Sequence, residues 1–119
     1  MMRILIADDD PDCLALVADA LRGPGIEFVS ATDGDKLLAL VAMGGPFDLI
    51  ITDISMPWME GHQVLASARA AGLVTPVLVV TGRNDQHLAH TISQLGHAKL
   101  LQKPFAIADL RAAVSELLL

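Results

Sequence analysis

Ile4-Leu5-Ile6-Ala7-Asp8-Asp9-Asp10-Pro11 sets an unbroken apolar run directly against three carboxylates and a proline. An aliphatic run that does not alternate with polar residues is the pattern of a parallel strand covered on both faces. Asp10 followed by Pro11 marks a helix start: an Asp side chain accepts a backbone N–H of the first turn, and the fixed φ of proline suits the first helical position. The stretch reads as strand, acidic loop, helix.

The same alternation repeats outward along the chain. Strand-like runs recur at 26–30, 49–52, 77–80 and 98–101 after the first at 4–7, and those at 4–7, 49–52 and 77–80 are almost wholly aliphatic. Between and after them, apolar residues fall at helical spacing: Leu14, Val17, Ala18, Leu21; Leu37, Leu38, Val41; Val64, Leu65, Ala68; Leu88, Ile92, Leu95; and Ile107, Leu110, Val114, Leu117. Gly23, Gly44, Gly72 and Gly96 stand where four of these helices should stop, and are expected to supply left-handed caps. Five strand–helix repeats predict an α/β fold, a doubly wound five-stranded parallel sheet built from right-handed βαβ units. With no linker or low-complexity tract, residues 1–119 are expected to form a single domain.

Composition narrows the function. Hydrophobic residues make up 53% and charged residues 18%, enough apolar surface for a core, which excludes a disordered chain. Eight Lys and Arg against fourteen Asp and Glu leave a net charge of -6, the wrong sign for wrapping a phosphate backbone, so direct nucleic-acid binding is not expected. The lone Cys13 cannot form an internal disulfide, and the first residues do not read as a signal peptide. Gly, Pro or charge breaks each apolar stretch before the ~18 residues of a spanning helix, so no membrane insertion is expected and a reducing cytoplasm is the expected compartment.

In a doubly wound sheet, ligands sit beyond the carboxyl ends of the strands, near the point where strand order reverses. That edge receives Asp8 and Asp9 after the first strand, Asp53 at the end of the third, Thr81 after the fourth and Lys103 after the fifth. Two carboxylates about 4 Å apart repel by roughly 4 kcal/mol at an effective dielectric near 20, so three of them call for a cation or protons. An all-oxygen site beside phosphate chemistry suits Mg2+, with Mn2+ as a substitute. A carboxylate in a pocket so neutralised can attack phosphorus while Lys103 and Thr81 take up charge on the transferred oxygens, which predicts an aspartyl phosphate.

These residues resemble a known family. Ile4 to Pro11, the loop Asp53-Ile54-Ser55-Met56-Pro57-Trp58-Met59-Glu60-Gly61, Val80-Thr81-Gly82 and Lys103-Pro104-Phe105 are similar, in order, to the motifs of response-regulator receiver domains, chemotaxis-regulator-like modules of two-component signalling. The resemblance covers essentially the whole chain. It implies a flavodoxin-like (βα)5 fold with strand order 2-1-3-4-5 and a cis bond before Pro104. It also implies Asp53 as phosphoacceptor and Mg2+ ligand, and Asp9 as a direct Mg2+ ligand. Asp8 would support the metal partly through water, and the Ser55 main-chain carbonyl would be a further ligand. Thr81 and Lys103 would contact the phosphoryl group. The implied partners are a histidine kinase or histidine phosphotransfer protein and a downstream protein that the sequence does not name. No output domain is visible within residues 1–119, so the sequence reads as either a freestanding receiver or a domain of a longer protein.

Four positions depart from or modulate the family pattern. Leu100 stands where the family often has Tyr or Phe, which removes the usual aromatic switch. Trp58 replaces a common glycine and is either a loop aromatic over apolar surface or a partner contact. Ser55 and Arg83 lie two residues past Asp53 and Thr81, where side chains flank the phosphoryl group and tune attack by water. Cys13 reads as packing, and His62, His87, His90 and His97 form no metal constellation. Two other functions remain open at this point: an aspartyl-phosphate phosphohydrolase, and an interaction module independent of phosphorylation. A flavodoxin-like cofactor binder is disfavoured, because Asp8, Asp9 and Asp10 would repel a cofactor phosphate.

Overall fold

A computed structural model of the chain describes residues 1–53, 61–82 and 86–119, and only the backbone of 61–64. Strands β1 (Met2–Ala7), β2 (Ile26–Ala31), β3 (Leu49–Asp53), β4 (Val77–Thr81) and β5 (Ala98–Gln102) form one sheet in the order β2-β1-β3-β4-β5. All four pairings are parallel. Helices α1 (Pro11–Leu21), α2 (Gly34–Ala39), α3 (Gly61–Ala70), α4 (Gln86–Gln94) and α5 (Ile107–Leu117) alternate with them, and α2 runs on into a π-helical turn over Leu40–Gly44. The expected fold class and strand order are those observed.

The aliphatic runs are explained by where their side chains go. Alternate residues of a strand point to opposite faces, so β1 sends Ile4 and Ile6 into a core with Val17 of α1 and Leu110, Val114 and Leu117 of α5. Its Leu5 and Ala7 enter a second core with Leu37 of α2, Leu65 of α3 and Leu88 and Ile92 of α4. Both faces of β1, β3 and β4 are dry, whereas the edge strands β2 and β5 are only partly buried. Asp10 caps α1, accepting the Asp12 N–H at 2.9 Å with Pro11 in the first turn, as the sequence predicts. Asp33 caps α2 in the same way, accepting from the Lys36 N–H at 2.7 Å.

Two of the four glycine expectations are corrected. Gly72 and Gly96 adopt positive φ after α3 and α4, but Gly23 and Gly44 do not. At the end of α1 the residue before Pro24 is restrained toward extended backbone. The left-handed position is therefore Gly25, at φ 75, in a Gly23-Pro24-Gly25-Ile26 turn closed by the Ile26 N–H on the Gly23 carbonyl. At Gly44 the requirement is space: a Cβ there would lie 2.9 Å from Leu40 Cδ2. The bond before Pro104 is cis, as the resemblance implies, and so is Gly45–Pro46, which the sequence analysis does not anticipate.

Arg69 of α3 closes the edge of the sheet remote from the acidic loops. Its guanidinium donates to the carbonyls of Leu73 (3.0 Å), Thr75 (2.7 Å) and His97 (3.2 Å) and also to that of Gly96, tying the turn after α3 to the turn after α4.

Candidate functional site

Because the strands are parallel, their carboxyl ends meet on one edge, and register decides which residues face each other. Ala7 pairs with Thr52, Asp53 with Val80, and Thr81 with Gln102. The next residue along β1 is Asp8, level with Asp53, and the next along β5 is Lys103, one step beyond Thr81. Sheet hydrogen bonds continue into these loops, with the Asp8 N–H on the Ala31 carbonyl at 3.0 Å and the Lys103 N–H on the Thr81 carbonyl at 2.6 Å. Asp8, Thr52 and Thr81 are buried, Asp53 and Lys103 are half-buried, and Asp9 is exposed.

Carboxylate oxygens of Asp8, Asp9 and Asp53 lie within 4.8 Å of one another. Lys103 Nζ donates to Asp8 Oδ2 at 3.0 Å and lies 3.7 Å from Asp53 Oδ2, so a single ammonium spans two of the three carboxylates. Asp8 Oδ1 accepts the Asp10 N–H at 2.9 Å. The Thr52 hydroxyl donates to the Asp53 carbonyl at 2.9 Å, fixing the backbone where β3 ends. Three negative charges and one positive leave the edge electron-rich, and a hard, all-oxygen donor set of this spacing can hold a divalent cation.

Burial and bonding pull the site's groups in different directions. Burial disfavours the Asp8 carboxylate, but hydrogen bonds from the Cys13 thiol, the Asp10 N–H and Lys103, together with the lysine's charge, outweigh it and hold Asp8 below the usual Asp range. Burial likewise opposes charge on Lys103. Its bond to Asp8 and the charges of Asp53 and Asp8 prevail, keeping it protonated well beyond the usual lysine range. Burial, then the hydrogen bond to Asp8 and its charge, push the Cys13 thiol up to about 11. A group whose pKa is raised on folding stabilises the fold below its unfolded pKa and loses that contribution as pH rises through the folded value. Between pH 9.0 and about 11 the unfolded thiol ionises while the folded one keeps its proton. Lys103 stays charged across that window, so wild type is expected to lose more stability there than Cys13→Val. Urea midpoints measured from pH 8 to 11 check this, and equal losses in the two proteins would contradict it.

Asp8, Asp9, Asp53, Thr81 and Lys103 are thus brought together as the sequence analysis expects. Leu100 is half-buried in β5, opposite Val79, and lines a groove of about 450 Å3 with Ile92 of α4 and Ala113 of α5. Ser55, Trp58 and Arg83, with the loop motif from Ile54 to Glu60, lie outside the described residues. Cys13, read as packing from the sequence, is half-buried against the core that α1 and α5 form with the sheet.

Fold and edge together define a doubly wound α/β domain with a carboxylate-rich site and a lysine beside it. The chain belongs to the family of response regulator receiver domains, whose model matches residues 4–115. Among curated relatives, the transcriptional regulatory protein PrrA of Mycobacterium tuberculosis is 36% identical over 116 residues, which are 98% of this chain and 49% of that protein. The sensor histidine kinase TmoS of Ectopseudomonas mendocina is 34% identical over 118 residues, 98% of this chain and 12% of that protein. The chain therefore spans about half or less of these relatives. Among solved structures, the chemotaxis response regulator CheY4 of Vibrio cholerae superposes with a TM-score of 0.84 at 28% identity, covering 98% of each chain. No helix among the described residues is long and apolar enough to cross a membrane.

Proposed function

We propose that this receiver domain accepts a phosphoryl group on Asp53, in a Mg2+-dependent transfer from the phosphohistidine of a histidine kinase or histidine phosphotransfer protein. The observation that carries the reading is Lys103 Nζ lying between Asp8 and Asp53 inside a three-carboxylate cluster. An oxygen of the Asp53 carboxylate attacks phosphorus as the donor's N–P bond breaks. Lys103 moves from its bond with Asp8 to pair with the transferred oxygens, and the Thr81 hydroxyl donates to one of them. Asp9, Asp53 and Asp8, with the Ser55 main-chain carbonyl, would hold the cation, and Mn2+ would serve in place of Mg2+. When bound, the cation supplies charge neutralisation that lets an anionic carboxylate meet an anionic phosphate.

The domain catalyses only its own phosphorylation and dephosphorylation and acts in the cytoplasm as a switch for a downstream protein, without contacting nucleic acid or membrane itself. The added charge biases a two-state arrangement of the loops and α4. With Leu100 in β5, the output relies on displacement of residues 81–86 and α4 more than on a rotating aromatic in β5. Arg83 shields the acyl phosphate from water, and Trp58 is a contact for the phosphodonor protein.

Incubation with acetyl phosphate tests the metal dependence. Labelling is expected with Mg2+ or Mn2+ and is expected to fall to background when the metal is chelated. Undiminished labelling under chelation would contradict the role given to the carboxylates.

A further inference from the structure

The turn from α4 into β5 is the one place among the described residues where a residue other than glycine holds a left-handed backbone: His97 has φ 48, directly after Gly96 at φ 74. A residue with a Cβ is strained in that conformation, which persists only where its surroundings hold it. Here the surroundings are hydrogen bonds to two successive carbonyls. The Gly96 carbonyl accepts from Arg69 Nε at 3.3 Å and Nη2 at 3.2 Å, and the His97 carbonyl accepts from Arg69 Nη2 at 3.2 Å and from the Val77 N–H at 2.9 Å. The same guanidinium is held from its other side by the carbonyls of Leu73 at 3.0 Å and Thr75 at 2.7 Å, in the turn after α3. Among the described residues its bonds therefore all go to main-chain carbonyls, from two turns at once. A planar fork of five N–H groups can serve both turns together; an ammonium on a flexible stem cannot.

These bonds fix one end of α4. Its last turn closes on itself through the Leu95 N–H on the Ile92 carbonyl at 3.1 Å, and Arg69 and Val77 then bind the next residues to α3 and β4. The other end starts at Gln86, on the side of the sheet where β4 ends at Thr81. A nine-residue helix is about 13 Å long, so a rotation of about 10° around its C-terminal end moves its first turn by about 2 Å. We propose that Arg69 is a positioning residue that clamps the C-terminal end of α4 in its strained turn, so that displacement of α4 is a swing about that end and is largest beside Thr81. The clamp stands on the unmodified structure; the swing rests on the reading that phosphorylation of Asp53 displaces α4.

Amide hydrogen exchange of the full chain, followed by NMR, tests both parts. In the unmodified protein, Arg69→Met and Arg69→Lys are each expected to speed exchange at residues 95–98 about tenfold while β1 and β3 keep their wild-type rates. Lysine keeps the charge near the end of α3 but not the fork, so an Arg69→Lys protein that exchanges like wild type would overturn the clamp in favour of charge alone. His97→Gly removes the strain and is expected to slow the same amides about fivefold in wild type, and to return Arg69→Met toward the wild-type rate. Should Arg69→Met not fold, Arg69→Lys and His97→Gly carry the same test; unchanged exchange at 95–98 in both would overturn the clamp. With Mg2+ and acetyl phosphate, wild type is expected to change at residues 86–90 and not at 95–98, and Arg69→Lys to change at both. Equal changes at the two ends of α4 in wild type would overturn the swing. Absence of a phosphoryl adduct on wild type would overturn the phosphoacceptor reading and the swing together, while the clamp is decided by the unmodified protein.

Discussion

Replacing Lys103 with methionine is expected to slow phosphorylation of Asp53 by about a hundredfold while tightening Mg2+ binding by about tenfold. The two effects have opposite signs because the ammonium does two jobs. It lies 3.0 Å from Asp8 and 3.7 Å from Asp53, where it offsets carboxylate repulsion and so competes with a cation for the same charge. At distances near 4 Å such terms are about 4 kcal/mol at an effective dielectric near 20, and partial exposure of the lysine reduces them. During transfer, the same charge stabilises the phosphoryl oxygens, and methionine cannot supply it. Stopped-flow phosphorylation and calorimetric Mg2+ titration measure the two effects separately. Loss of rate together with weakened metal binding would place Lys103 as a prop for the carboxylates instead of a partner for phosphate.

The second large effect is on the fold. Leu78 lies in β4, with no exposed surface, packed in one core with Ile4, Ile6, Leu49, Ile51 and Leu110. Leu78→Ala is expected to cost about 2–5 kcal/mol, because the removed methyls leave a cavity that a sheet clamped by helices cannot close. Against a total stability of about 5–15 kcal/mol, that is a large fraction. Leu101→Ala, in the half-buried edge strand β5, is expected to cost clearly less. Urea unfolding checks both, with the midpoint falling at constant slope. Equal losses at the two positions would contradict the placement of the core on the inner strands.

Much of this architecture was legible because its causes are local. The non-alternating runs of β1, β3 and β4 follow from helices on both faces, so hydropathy alone finds them. Strand ends were less legible, since hydrogen bonding sets them: β1 begins at Met2, whose N–H bonds to the Gly25 carbonyl and which pairs with Ile26. Gly23 and Gly44 misled for a related reason. The proline after one and the crowding of Leu40 and Phe47 around the other decide their backbone and neighbours, and neither is visible in a cap pattern.

At the site, Asp8, Asp53, Thr81 and Lys103 could be grouped from sequence because parallel strands deliver their carboxyl ends to one edge. What could not be read was the sharing of contacts there. That Asp8 is buried while Asp9 is exposed, and that Lys103 leans to Asp8 more closely than to Asp53, depend on side-chain direction in three dimensions.

The central claim is that Asp53 is the phosphoacceptor. Its most direct test is the intact mass of wild type and Asp53→Asn after incubation with Mg2+ and acetyl phosphate. One phosphoryl group on wild type and none on Asp53→Asn is the predicted result. An adduct of equal occupancy on both proteins would contradict it and place the acceptor elsewhere.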